Sequence, residues 1–211
     1  MIKLIIADDH VMFRESISKM LTLKKVAEVI AEAGNGNELL SLLDSQKPDM
    51  VLMDIAMPEM DGIEATKKAI AKQPGLKVLT LSSFGDEQYY FNMVEAGAKG
   101  FVLKNTSLSE LEKAINEIAG GGSWFSSELL QKVILNMTTK PKKEVTADFS
   151  DRELEILKLV CENLNNEQIA EKINLSYDTV KWHRANIMAK TGCKNAVGLL
   201  LFSLKNKIIE I

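Results

Sequence analysis

Three aspartates, one serine and one lysine carry the densest chemical signal in this chain. Asp8 and Asp9 follow the apolar run 3–7, Asp54 follows 50–53, Ser82 follows 77–81 and Lys104 follows 99–103. Carboxylates that converge repel one another unless a cation sits among them. Oxygen ligands suit a hard ion, and Mg2+ takes one or two protein carboxylates together with waters and phosphate oxygens. A carboxylate in such a group can attack phosphorus as a nucleophile. The ion and a lysine would then screen the charge on the transferred phosphoryl group. Taken singly, an aspartate is more simply a helix-capping residue; that account does not cover a set in which every member ends an apolar run. His10 follows the acid pair and is read as structural.

The elements that must position these residues are short. Lys3–Ala7, Ala27–Ala31, Met50–Met53, Lys77–Leu81 and Lys99–Leu103 are apolar at most positions, as strands covered on both faces are. Amphipathic stretches lie between and after them, around 11–22, 36–45, 62–72, 87–96 and 108–119, with Gly and Pro at the joins. Ser107 and Glu110 have the spacing of a capping box opening the last of these. Five such units imply a doubly wound parallel sheet with helices on both faces, and in that architecture ligands bind outside the carboxyl ends of the strands. The spacing therefore predicts that the five residues meet at one edge.

After Gly120–Gly122 the pattern changes. Residues 126–137 could form a linker helix, and 138–148 (TTKPKKEVTAD) is charged, contains Pro141 and has no apolar period, which reads as a mobile linker. From Phe149 onward everything reads as short helices: one opened by a capping box at Ser150 and Glu153, then segments near 166–173, 177–191 and 195–207. On a helical wheel, Val180, Ile187 and Thr191 share one side of the third segment, while Trp182, Ala185 and Ala189 lie opposite, with Lys181 between. An exposed tryptophan beside a lysine and small alanines makes a face that could approach DNA closely, through phosphate contacts and an apolar contact to a thymine methyl. The alternative is that Trp182 packs on a neighbouring element.

Bulk properties set the bounds. The chain has 211 residues, 46% hydrophobic and 26% charged, enough for one medium and one small domain. No apolar run is long enough to span a bilayer and the N-terminus meets acids at once, which predicts a cytoplasmic protein without membrane partners. Cys161 and Cys193 form no paired motif and read as small core residues. The net charge of −3 conceals an asymmetry: residues 1–121 carry 13 Lys and Arg against 18 Asp and Glu, residues 122–211 carry 13 against 11. The basic signal is local, with Lys181, Arg184, Lys190 and Lys194 set against Asp178 alone within 177–194.

The series ADDH (7–10), MDIAMPEMDG (53–62), LSS (81–83) and GFVLK (100–104) resembles the receiver domain of response regulators. FSDRELEILKLV (149–160) and NNEQIAEKINLSYDTVKWH (165–183) resemble the LuxR-type helix-turn-helix of the NarL/FixJ class. The resemblance implies a receiver over 1–121, a linker over 122–147 and an all-α DNA-binding domain over 148–211. It makes Asp54 the phosphoacceptor, with Asp9, Asp54 and the carbonyl of Ala56 holding Mg2+ and Asp8 helping through water. Ser82 and Phe101 match the switch positions and Lys104 the phosphoryl-binding lysine. In the helical half it places Lys181, Trp182 and Ala185 toward bases and Asn166, Thr179 and Lys190 near phosphates, and Arg184 is counted with them. A sensor histidine kinase, double-stranded DNA and a second copy of the chain on phosphorylation are the implied partners, and helix 195–207 the implied dimer surface. The chain is thus expected to be a transcription factor and not an enzyme, apart from taking and slowly losing its own phosphate.

Several residues depart from the family pattern. Asn105 stands where many receivers have proline. Ala56 and Phe84 flank the path of attacking water without a side chain to activate it, which predicts a long-lived phosphoryl group. Asn163 replaces a usual glycine and must tolerate positive φ. Glu167, Thr191 and Ala196 replace a frequent lysine, an apolar residue and an arginine, pointing to modest monomer affinity for DNA. Two other functions are compatible with parts of the pattern. A Mg2+-dependent phosphohydrolase would need a general acid two residues after its nucleophile, where this chain has Ala56. A regulator acting only through protein contacts would need no basic helix.

Overall fold

A computed structural model of the chain describes residues 1–83, 87–125, 149–206 and 208–209. These fall into two compact units, Met1–Ala119 and Gly120–Ile211. The expected linker helix and linker, 126–148, and Phe84 lie outside the described residues.

The first unit alternates β1 (Ile2–Ala7), α1 (Val11–Leu23), β2 (Ala27–Ala33), α2 (Gly36–Ser45), β3 (Met50–Asp54), α3 (Gly62–Lys72), β4 (Lys77–Ser82), α4 (Glu87–Ala96), β5 (Gly100–Leu103) and α5 (Leu108–Ala119). All strand pairs are parallel, in the order β2-β1-β3-β4-β5. The apolar runs explain the centre of this sheet: Leu4–Ala7, Met50–Met53, Val78 and Leu79 have no solvent exposure. β2 departs from the expectation of strands covered on both faces. It is an edge strand carrying Glu28 and Glu32, and its middle residues are only half-buried.

Side-chain caps fix several helix starts. Asn35 accepts from the Glu38 N–H and Asp61 from the Glu64 N–H, each satisfying a backbone donor the first turn cannot. At α5 the Ser107 hydroxyl accepts from the Glu110 N–H at 3.2 Å, as the capping box requires. The Glu110 carboxylate, however, accepts from the Thr106 hydroxyl at 2.6 Å.

The second unit contains α6 (Asp151–Cys161), α7 (Asn166–Lys172), α8 (Tyr177–Thr191) and α9 (Ala196–Lys205). The capping box at Ser150 and Glu153 is complete, and a second one, unforeseen, joins Asn165 and Gln168. Asn163 and Asn174 take φ of 63° and 51° in the two turns flanking α7, the left-handed conformation that asparagine tolerates better than most residues. The core gathers Ile156, Leu157, Val160, Ile169, Val180, Ile187 and Leu199. Among the described residues, no helix is long and apolar enough to cross a membrane.

Candidate functional site: an acidic pocket and a helix face

Because the strands run parallel, β1, β3, β4 and β5 deliver Asp8, Asp54, Ser82 and Lys104 to one end of the sheet. Lys104 is tied to β4 by its backbone N–H, which donates to the Ser82 carbonyl at 2.8 Å. Its Nζ reaches across to two acids, 3.0 Å from Asp54 Oδ2 and 2.7 Å from Asp8 Oδ2. The second contact is an ion pair without hydrogen-bond alignment, so Asp8 Oδ2 is paired in charge yet receives no directed donor. The Phe13 ring lies 5.1 Å from the same Nζ and covers the ammonium with an aromatic face. Asp8 is fully buried and Asp54 is 4% exposed. Burial, reinforced by the charge of Asp8, holds the Asp54 carboxyl above the ordinary range despite the pull of Lys104.

This donor set fits a divalent cation. Asp8, Asp9, His10 and Asp54 each offer a ligand atom, all within 4.8 Å of one another. The two buried acids face a single lysine, which leaves the cluster short of positive charge. Beside it opens a cleft of about 350 Å3 lined by His10, Phe13, Ser83, Lys104 and Asn105. Ser82 and Phe101 are both buried, and the Phe101 ring meets Tyr90 edge to face at 3.9 Å. Ala56 is exposed in the turn after Asp54.

Two supporting residues escaped the sequence reading. The Arg14 guanidinium donates to the Asp8 carbonyl and lies 3.5 Å from Glu32 Oε2, so it ties the acid loop to α1 and β2. Its signal was available: Arg14 falls seven residues before the buried Leu21, on the inward stripe of α1. Gly62 is the second. A Cβ there would stand 2.0 Å from the Asp54 carbonyl oxygen, so only glycine lets α3 begin against that peptide.

In the helical unit the wheel places most of α8 correctly. Val180 and Ile187 are fully buried, Thr191 is 9% exposed, and Trp182 is 61% exposed with Lys181 and Ala185 also on the outside. Thr179, at the start of α8, is half-buried with its hydroxyl 2.8 Å from that of Ser176. Three residues counted as DNA-facing, Arg184, Asn166 and Lys190, are instead engaged within the fold. Arg184 is 7% exposed and donates to the Oδ1 of the equally buried Asn166 at 2.6 Å. Burial lowers its guanidinium to about 10, so it stays charged inside the fold. Lys190 is partly exposed, but its Nζ is held 2.6 Å from the buried Glu153 carboxylate. Leu200, Phe202 and Leu204 of α9 are half-buried, whereas Leu199 is fully buried.

Comparison with known proteins agrees with this division. Residues 4–116 match the family model for the response regulator receiver domain, and residues 147–203 that for bacterial regulatory proteins of the luxR family. The oxygen regulatory protein NreC of Staphylococcus aureus strain MRSA252 is 36% identical over 216 residues, covering 99% of each chain. Among solved structures, the response regulator ChrA of a heme-sensing two-component system is 30% identical at a TM-score of 0.52, covering 99% of this chain and 98% of its own. RcsB of Salmonella enterica serovar Typhimurium, solved bound to promoter rprA in the presence of phosphomimetic BeF3−, is 25% identical at a TM-score of 0.56, covering 96% and 98%. A receiver domain followed by a LuxR-type helix-turn-helix is the NarL/FixJ arrangement, and this chain belongs to that family of DNA-binding response regulators.

Proposed function

We propose that Asp54 is the phosphoacceptor of this response regulator and that its phosphorylation by a sensor histidine kinase controls dimerisation and DNA binding. The observation that carries the reading is the position of Lys104, whose ammonium bridges the two buried carboxylates of Asp8 and Asp54. An Asp54 oxygen attacks phosphorus, the P–N bond to the donor histidine breaks, and the released imidazole takes up a proton from solvent. Lys104 moves its charge from the carboxylates to the phosphoryl oxygens. Asp8, Asp9, Asp54 and the carbonyl of Ala56 would hold Mg2+, which supplies further screening of those oxygens when bound. Ser82 and Phe101 report the new charge by rearranging around it, which shifts a two-state receiver toward its dimer.

The DNA-facing set is narrower than the sequence suggests. Lys181, Trp182 and Ala185 form the exposed face of α8, Thr179 stands at its N-terminal end, and Lys190 contributes only what Glu153 leaves of its charge. Arg184 and Asn166 serve the scaffold. Two copies on a symmetric site would supply the affinity that one modest face lacks, as a dimer shares its binding energy over two half-sites. The receiver would occupy 1–121, the linker 122–147 and the DNA-binding domain 148–211, in a protein working in the cytoplasm. The relative RcsB, bound to a promoter with a phosphomimetic, supports this reading.

The test is a gel shift and a sizing run with and without acetyl phosphate, on wild type and Asp54→Ala. The donor should tighten DNA binding and shift the wild type to dimer, and leave the variant unchanged. A variant that still responds would remove Asp54 from the role. With neither Ala56 nor Phe84 carrying a side chain that can hydrogen-bond the attacking water, the phosphoryl group should persist for many minutes in the purified protein; a lifetime of seconds would remove this last point.

A further inference from the structure

Asp8 is flanked on both sides. Its Oδ2 faces Lys104, and its Oδ1 faces His10. The His10 ring Nδ1 lies 3.2 Å from Asp8 Oδ1 and 2.7 Å from Asp9 Oδ1, while the His10 backbone N–H donates to Asp8 Oδ1 at 2.9 Å. His10 is the N-cap of α1, yet its side chain makes no capping hydrogen bond there. The ring is therefore committed to the carboxylates and not to the helix end.

The spacing matters. Two neighbouring ligands bound at ~2.1 Å to one octahedral ion stand ~3.0 Å apart. The two ring-to-carboxylate separations bracket that value. With Asp54 included, the four donor atoms lie within 4.8 Å of one another, a little beyond the ~4.2 Å between opposite ligands of one such shell, so a small inward shift gathers them around one ion. The site that the phosphotransfer reading assigns to Mg2+ thus includes a nitrogen donor.

We propose that His10 is a further protein ligand of the divalent cation and biases the pocket toward a first-row transition dication such as Mn2+. The inference rests on the reading of the acidic pocket as a cation site. Carboxylates and water suit Mg2+, whereas imidazole favours transition metals, and for such ligand sets affinity rises along the series that begins at Mn2+. The ring, whose side chain is 66% exposed, coordinates through Nδ1 as neutral imidazole and carries its proton on the other nitrogen. Neither Asp8 nor Asp9 needs to move far, since the ring already occupies the edge of the shell.

The experiment is pulsed EPR on the full chain with Mn2+, with calorimetric titration of Mn2+ and of Mg2+. In the wild type, bound Mn2+ should show nitrogen modulation from a coordinated imidazole. His10→Gln should remove that modulation and weaken Mn2+ about tenfold or more, while changing Mg2+ affinity by less than about threefold, the glutamine carrying no imidazole for either ion. Bound Mn2+ without nitrogen coupling, or equal coupling in the variant, would overturn the role of His10 and leave the cation site standing. Failure of either ion to bind wild type, with no change in Asp9→Asn, would instead bring down the cation reading itself. Because His10 is mostly exposed, the variant is expected to fold, and its circular dichroism spectrum checks this.

Discussion

The two halves of the molecule handle charge in opposite ways. In the receiver unit, residues far apart in sequence converge: the Lys104 ammonium lies within 3.0 Å of both Asp8 and Asp54 because parallel strands all end at one edge. In the helical unit, residues close together in sequence part company. Lys181 and Trp182 stay outside, while Arg184, two residues later, turns in onto Asn166. A strand end fixes where its next residue goes, so position alone predicts the pocket. A helix distributes its residues around a circle, and the partner available at each angle decides what a charge does.

The strongest way to break this contrast is to remove the inward arginine. Arg184→Ala should destabilise the helical unit by about 3 kcal/mol, since it opens a void and strands the buried Asn166 amide. Urea unfolding followed at Trp182 in a Trp124→Phe background reads it. A loss below roughly 0.5 kcal/mol, the range of ordinary surface changes, would place Arg184 back on the DNA-facing side.

A smaller effect is expected at the second inward pair. Lys190 and the Ser150 backbone hold the Glu153 carboxyl below the ordinary range. A carboxyl lowered in the folded state adds stability above its unfolded pKa and loses it as pH falls through the folded one. Glu153→Gln should cost about 2 kcal/mol at neutral pH, through a weakened cap and a lost charged hydrogen bond. Below the carboxylate range the variant and wild type should converge; a pH-independent gap would mean that packing and not charge is responsible.

Lys181→Ala sharpens the contrast from the outside. Stability should move by no more than ~0.5 kcal/mol, while the slope of log binding constant against log salt falls by ~0.9 for one lost phosphate contact. An unchanged slope would mean that Lys181 does not face phosphate.

The smallest effect has the opposite sign. Asp54 is held above the ordinary carboxylate range by burial and by Asp8. The folded state therefore retains a proton the unfolded chain has released, and stability declines as pH rises from the ordinary carboxylate range through the raised value. In metal-free buffer, Asp54→Asn should raise the receiver melting temperature by a few degrees at neutral pH and flatten that decline. A lowered melting temperature would show that Lys104 outweighs burial.

The sheet, the order of elements and the pocket were legible because apolar runs of four or five residues, each followed by a polar group, leave little choice of architecture. The edge character of β2 was also visible, in Glu28 and Glu32, but the apolar residues between them hid it. Arg14 and Arg184 share one feature. Each lies on the buried stripe of its helix: Arg184 is four residues after Val180 and three before Ile187. The helical period puts both inside, but Arg184 counts outward among the basic residues and Arg14 is not singled out. Their partners, the Asp8 carbonyl and the Asn166 side chain, come from other segments, so only the fold reveals them. His10 is the opposite case, for its partners in space, Asp8 and Asp9, are also its neighbours in sequence.

Gly62 ends the turn that begins at Asp54. Its N–H donates to the Ile55 carbonyl at 2.9 Å, and the Asp54 carbonyl oxygen fills the space where a side chain would be. The intervening segment is closed like a buckle, with Glu59 at its far side in the left-handed conformation at φ 63°. Strain introduced at the acid's own peptide has no slack to disappear into before the first turn of α3. Insertions should be tolerated at the Glu59 corner and not at the clasp, and a longer residue at 62 would misalign the acid without touching its carboxylate.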